Sequence, residues 1–124
     1  MSIVLAKISK VNYEAGTADI TIPDRNRQVV KSIPFLSDIY EMPSVGDSVY
    51  ADIEVGGGRL GRGVILGKYY TKKNRPKESG KGIFLKEFTD GASIKYDPAT
   101  KTMTINADKV VVRELYADSI HTEG

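Results

Sequence analysis

The sequence contains no cysteine, no tryptophan and a single histidine. Without thiols there can be no disulfide, no thiolate metal site and no Cys nucleophile. A Ser-His-Asp triad would have to use His121. That residue lies at the C-terminal end, where a chain frays unless something ties it down. The chain therefore reads as a non-enzyme. Long apolar runs are missing too. A membrane-spanning helix needs about 20 apolar residues, and the runs here are only a few residues long. The start, Met1-Ser2-Ile3-Val4-Leu5-Ala6-Lys7, has neither a basic opening nor a long apolar core, so no secretion signal is expected. No window repeats apolar residues at helical spacing over three turns.

Strand patterns occur throughout. The run 3–13 is rich in Val, Ile and Leu, and Glu14-Ala15-Gly16 follows as a hairpin turn with Gly16 at positive φ. Ala18, Ile20 and Ile22 alternate with Asp19 and Thr21, which predicts one buried and one wet face. Pro23-Asp24-Arg25-Asn26 interrupts, the strand resumes over 29–33, and Pro34 ends it because proline cannot donate to a ladder. After the turn Met42-Pro43-Ser44-Val45-Gly46-Asp47, a further alternating run covers 49–55. Gly56-Gly57-Gly58 opens a loop, and the run 63–70 completes the set. Five strands in about 70 residues predict a closed five-stranded barrel of the OB type, since closure hides sheet edges.

Charge marks the next boundary. The chain carries +2 overall, yet residues 1–70 hold eight basic and eight acidic side chains. Residues 71–81 hold five basic, one acidic and no apolar residue, and read as a linker whose charge suppresses edge pairing. Beyond it come short runs at 83–88, 92–96, 103–107, 110–115 and 117–120, with turns at Thr89-Asp90-Gly91 and Asp97-Pro98-Ala99-Thr100. The division expected is thus 1–70 barrel, 71–81 basic linker and 82–124 a separate strand-rich segment.

Those last 43 residues pose a physical problem. Segments of roughly this size seldom bury enough surface to fold alone without disulfides, metal or association. Their clean alternation nonetheless gives them an apolar face to hide. Self-association resolves both points, with copies burying the alternating apolar residues and pairing one another's strand edges. The expected intersubunit core is Ile94, Tyr96, Met103, Ile105, Val110 and Val112.

Several phrases in sequence order carry a resemblance. The first half has Ala6-Lys7-Ile8-Ser9-Lys10-Val11, Ala18-Asp19-Ile20, Pro43-Ser44-Val45-Gly46-Asp47-Ser48-Val49 and Gly61-Arg62-Gly63-Val64-Ile65-Leu66-Gly67. The second has Asp90-Gly91-Ala92-Ser93-Ile94-Lys95-Tyr96-Asp97 and Thr102-Met103-Thr104-Ile105-Asn106-Ala107. With a linker between the halves, the chain resembles the baseplate assembly protein V and central spike proteins of contractile-tailed phages and related injection machines. The resemblance implies an all-β chain with an N-terminal OB-type barrel and a C-terminal intertwined trimeric β-prism or β-helix. It implies a homotrimer in a virion or phage-tail-like particle, made in the bacterial cytoplasm. Its partners would be tail hub and baseplate proteins, with the target cell membrane contacted mechanically. No cofactor, nucleic acid or small-molecule substrate is implied. The chain departs from the family in two respects: the linker leaves no room for a muralytic domain, and the tail has His121 alone where many members carry a His-x-His pair. Three copies of His121 on an axis could still meet an ion, or a separate tip protein could cap a short needle.

Other features have ordinary readings. The basic segment Lys72, Lys73, Arg75, Lys77 and Lys81 could meet phosphates but fits a solvated connector. The Gly56-Gly57-Gly58 run lacks the Lys-Ser/Thr ending and the helix of a phosphate loop. Tyr13, Tyr40, Tyr50, Tyr69 and Tyr70 could stack bases, as in a single-stranded nucleic-acid-binding OB protein, but suit packing in strands. Asp24, Asp38, Asp47 and Asp52 could be read as a carboxylate pair, yet nothing fixes their separation, and turn roles account for Asp24 and Asp47; a cell-wall enzyme with Asp and Glu as acid and base would need a cleft that so short and strand-rich a chain is not expected to form.

Overall fold

The computed structural model describes residues 2–54 and 62–123. It is an all-β chain of antiparallel sheets, divided between Arg75 and Pro76 into two compact units. Among the described residues no helix is long and apolar enough to cross a membrane.

The first unit holds β1 (Ser2–Asn12), β2 (Thr17–Ile22), β3 (Gln28–Pro34), β4 (Ser48–Ile53) and β5 (Gly63–Lys68). They form one sheet in the order β3-β2-β1-β4-β5. β1 is long enough to serve two neighbours. Its first half, Ser2 to Lys7, pairs with β4, and its second half, Lys7 to Asn12, pairs with β2. The β1–β2 turn closes through the Gly16 N–H on the Asn12 carbonyl at 3.1 Å, with Gly16 at φ 69°. Between β2 and β3 a 3-10 turn, Pro23–Arg25, reverses the chain. The alternation read from the sequence is observed: Ala18, Ile20 and Ile22 are buried while Thr17, Asp19 and Thr21 are half-buried.

Inward-facing residues of all five strands make one apolar core, and eleven described residues are buried in it. Ile8, Ile20, Ile33, Val49 and Ile65 are at or below 1% exposure, which is why a small unit can hold together. The register of β2 against β3 shifts between Ala18 and Ile20, opposite Ser32 at φ 58°. The Asp19 carboxylate accepts the Ser32 N–H at 2.9 Å and satisfies this bulge. Gly63, which opens β5, cannot be replaced without collision: a Cβ there would meet the Asp52 carbonyl oxygen and lie 2.9 Å from the Ile53 Cα.

Closure differs from the expectation. The continuous ladder runs from β3 to β5 without joining its ends. Among the described residues the two edges meet at one parallel bridge, Phe35 with Ile65, where the Leu36 N–H donates to the Ile65 carbonyl at 3.0 Å. Pro34 ends β3, and the bridge follows directly at Phe35. The run expected over 49–55 ends at Ile53 in β4, and Val55 and the triple glycine lie outside the described residues.

The second unit contains β6 (Phe84–Glu87), β7 (Ser93–Asp97) and β8 (Thr102–Asn106), an antiparallel meander in that order. Its turns are closed by side chains: the Asp90 carboxylate accepts the Ala92 N–H, and that of Asp97 accepts the Ala99 N–H. The strands expected at 110–115 and 117–120 do not form. A strand is defined by a ladder partner, and no other segment of the described chain runs beside these residues.

Candidate self-association surface

Directly opposed residues in an antiparallel sheet project from the same face. In the β6-β7-β8 meander, Phe84 opposes Tyr96, which opposes Met103, and Lys86 opposes Ile94, which opposes Ile105. Phe84, Ile94, Tyr96, Met103 and Ile105 therefore share one face. Lys86 is on the same face, with its ammonium 5.7 Å from the Phe88 ring centre. The other face carries Lys95, Asp97, Thr102 and Thr104, with Leu85 among them.

Each face is treated differently by the rest of the unit. The segment entering β6 lies along the polar side. There the Lys95 ammonium donates to Glu78 Oε1 at 2.8 Å, and the Lys77 ammonium lies 3.6 Å from the Glu87 carboxylate. Hydrogen bonding and charge attraction from Glu78 hold the Lys95 ammonium above its ordinary pKa. The apolar side receives no such cover. Phe84 is 60% exposed, Met103 57% and Ile105 50%, and no described residue of the second unit is buried. Burying a large apolar side chain fully is worth about 1.5–3 kcal/mol, so half-exposed residues on one face leave several kcal/mol of burial unrealised in a lone chain.

Four of the six residues expected in an intersubunit core, Ile94, Tyr96, Met103 and Ile105, come together on this face. Val110 and Val112 do not join it through any ladder; they lie beyond β8 in exposed chain without assigned secondary structure. Sequence reading missed Phe84. The run 83–88 opens with three consecutive apolar residues and does not alternate, and only its pairing with Tyr96 assigns Phe84 to this face.

Other candidate residues stay apart. The Tyr40 hydroxyl donates to the Tyr13 carbonyl at 3.0 Å, and the Tyr50 and Tyr69 rings pack on each other at 4.8 Å. Asp47 accepts the Ser44 N–H at 2.8 Å, a turn role, and Asp24 sits in the Pro23–Arg25 turn. His121 is exposed, with the Ser119 hydroxyl 3.4 Å from its Nε2. Among the described residues no group of three His, Asp or Glu side chains is placed to hold a metal. The chain matches no protein-family model and no curated protein sequence.

Proposed function

We propose that this protein is the central spike of a contractile tail baseplate, a homotrimer that caps the tail tube and is driven mechanically through the target envelope. One observation carries the reading: residues 76–123 have a sheet with most of its large apolar side chains on one face, and no residue of the segment is buried. Such a segment gains stability by association, and a closed rotational assembly is the usual way for identical chains to associate. In this reading three meanders turn their Phe84–Tyr96–Met103 and Ile94–Ile105 rows inward as a prism, with the tails continuing as a needle. The first unit acts as an OB-type barrel meeting the tail hub. Its support is the strand order, the two-neighbour β1 and the Phe35–Ile65 bridge. The protein works without chemistry of its own, in a virion or phage-tail-like particle, with a separate tip protein as a further partner.

Sedimentation or native mass measurement tests this directly. Three copies per particle at micromolar concentration is the expected result, and a compact monomer there would overturn it. Single-stranded nucleic-acid binding is the competing reading, and it predicts strongly salt-dependent affinity. The neutral charge of residues 1–70 does not favour it.

A further inference from the structure

The first unit carries exposed apolar side chains on the connection from β3 to β4. Residues 36–47 form neither helix nor strand, which is long for a connection inside a small unit and typical of one that binds something. Bonds to the rest of the unit keep it in place. The Ser37 hydroxyl accepts the Ile39 N–H at 3.0 Å, the Tyr40 hydroxyl reaches the Tyr13 carbonyl, and the Gly46 N–H donates to the Ile8 carbonyl at 2.7 Å. Held in this way, the connection presents Leu36, Ile39, Tyr40 and Val45 to solvent at 65–71% exposure. Clustered exposed apolar side chains on an ordered surface mark an interaction site. The charges beside them, Asp38 and Glu41, are acidic only, and residues 32–58 contain no Lys or Arg. Opposite charge stands at the other end of β2. The Tyr13–Gly16 turn, which receives the Tyr40 hydroxyl, precedes β2, and the Pro23–Arg25 turn follows it, six residues or about 20 Å away. Arg25 and Arg27 stand there beside Asp24. Among the described residues neither arginine forms an ion pair, and neither does Asp38. Arg27 also holds a left-handed backbone at φ 55°, next to Asn26 at φ 53°, a conformation that costs an arginine conformational energy.

Two copies of this connection do not fit face to face, because each brings two acids and no base. An apolar surface edged with acid takes guanidinium groups, which pair with carboxylates and stack on tyrosine rings. The chain carries such groups, unpaired, at the far end of the same unit. Resting on the trimeric reading above, we infer that the 36–45 surface of one copy receives the Arg25–Arg27 turn of the next, so that three first units form a head-to-tail ring. Arg27, the more exposed of the two arginines, meets Asp38 and the Tyr40 ring. A head-to-tail contact uses two different patches of one chain and closes when a rotation relates the copies. The second units supply that rotation in the trimer. They also tether the first units to one another, so a contact too weak to join free copies is occupied in the assembly.

The cysteine-free chain allows a direct test by cross-linking. Arg27→Cys and Ile39→Cys are made singly and together in the full chain and treated with a short bis-maleimide. The double variant should give covalent dimers and trimers and each single variant none, since a ring brings unlike ends together. Links in Ile39→Cys alone, or no links in the double variant, would overturn the ring while leaving the trimer intact. A second measurement follows the exchange of subunits between labelled and unlabelled trimers. Arg27→Glu and Asp38→Lys should each speed it several-fold, and the two together should return it close to the parent rate. Acceleration without that recovery would show that the two residues do not meet. A parent chain that sediments as a monomer would instead remove the trimeric reading, and the ring with it.

Discussion

The two units are built from the same material, alternating strands joined by Gly and Asp turns, yet they stand differently toward water. The first folds its alternation around itself: Ile20, Ile33, Val49 and Ile65 are entirely withdrawn from solvent. The second lays out a meander just as regular, and Ile105 and Met103 remain half-exposed or more. Five strands can wrap one apolar surface around a common interior; three strands in a row present theirs to whatever comes next. Regular alternation therefore guarantees an apolar face but not an intrachain core. In this chain the difference separates a unit with an apolar core of its own from one whose apolar face stays open to solvent.

That contrast can be broken most severely at Ile105. Ile105→Asp places a charge on the apolar face, and it should dissociate the assembly to monomers in sedimentation while the first unit stays soluble and folded by circular dichroism. A variant that remained trimeric and heat-stable would show that this face lies outside the interface. Ile33→Ala makes the reverse cut. It removes a fully buried side chain from the first unit and should destabilise that unit by about 2–5 kcal/mol in denaturant unfolding. Assembly through the second unit should persist, and loss of the trimer would mean that the two units are not energetically separate.

Asp19→Ala should have a smaller effect, about 1–2 kcal/mol, because it leaves the bulged Ser32 N–H without its acceptor. An unchanged denaturation midpoint would show that water replaces the carboxylate without loss. Smallest is the polar strap. The Lys95 ammonium is held above its ordinary value of 10.5 first by its hydrogen bond to Glu78. A raised folded value means the contact stabilises below pH 10.5 and loses that contribution as pH rises through the raised value. Glu78→Gln should leave the apolar face and the assembly intact, and should flatten the alkaline fall in stability. An alkaline fall of the same size in the variant would assign it to other lysines.

Much of the fold was legible because alternation is a local signal. β2, β4, β7 and β8 each followed from every second residue being apolar, and the turns from Gly16, Asp90 and Asp97. What escaped was non-local. The bulge opposite Ser32 depends on Asp19 reaching across from another strand. Phe84 belongs to the apolar face only through its pairing with Tyr96. The runs 110–115 and 117–120 have strand composition, but composition supplies no partner, and none of the described chain provides one.

The amino-acid sequence by itself determined that this protein is all-β, that its longest stretch without apolar residues, 71–81, is strongly basic, and that thiol chemistry is impossible. Each of these follows from the spacing or absence of side chains along one dimension. Only the tertiary structure decided that the first half buries its apolar side chains in a core of its own while the second keeps its apolar rows in the open. Burial depends on which strands lie opposite one another, and that pairing is set by register, bulges and the reach of distant side chains rather than by any one stretch of sequence.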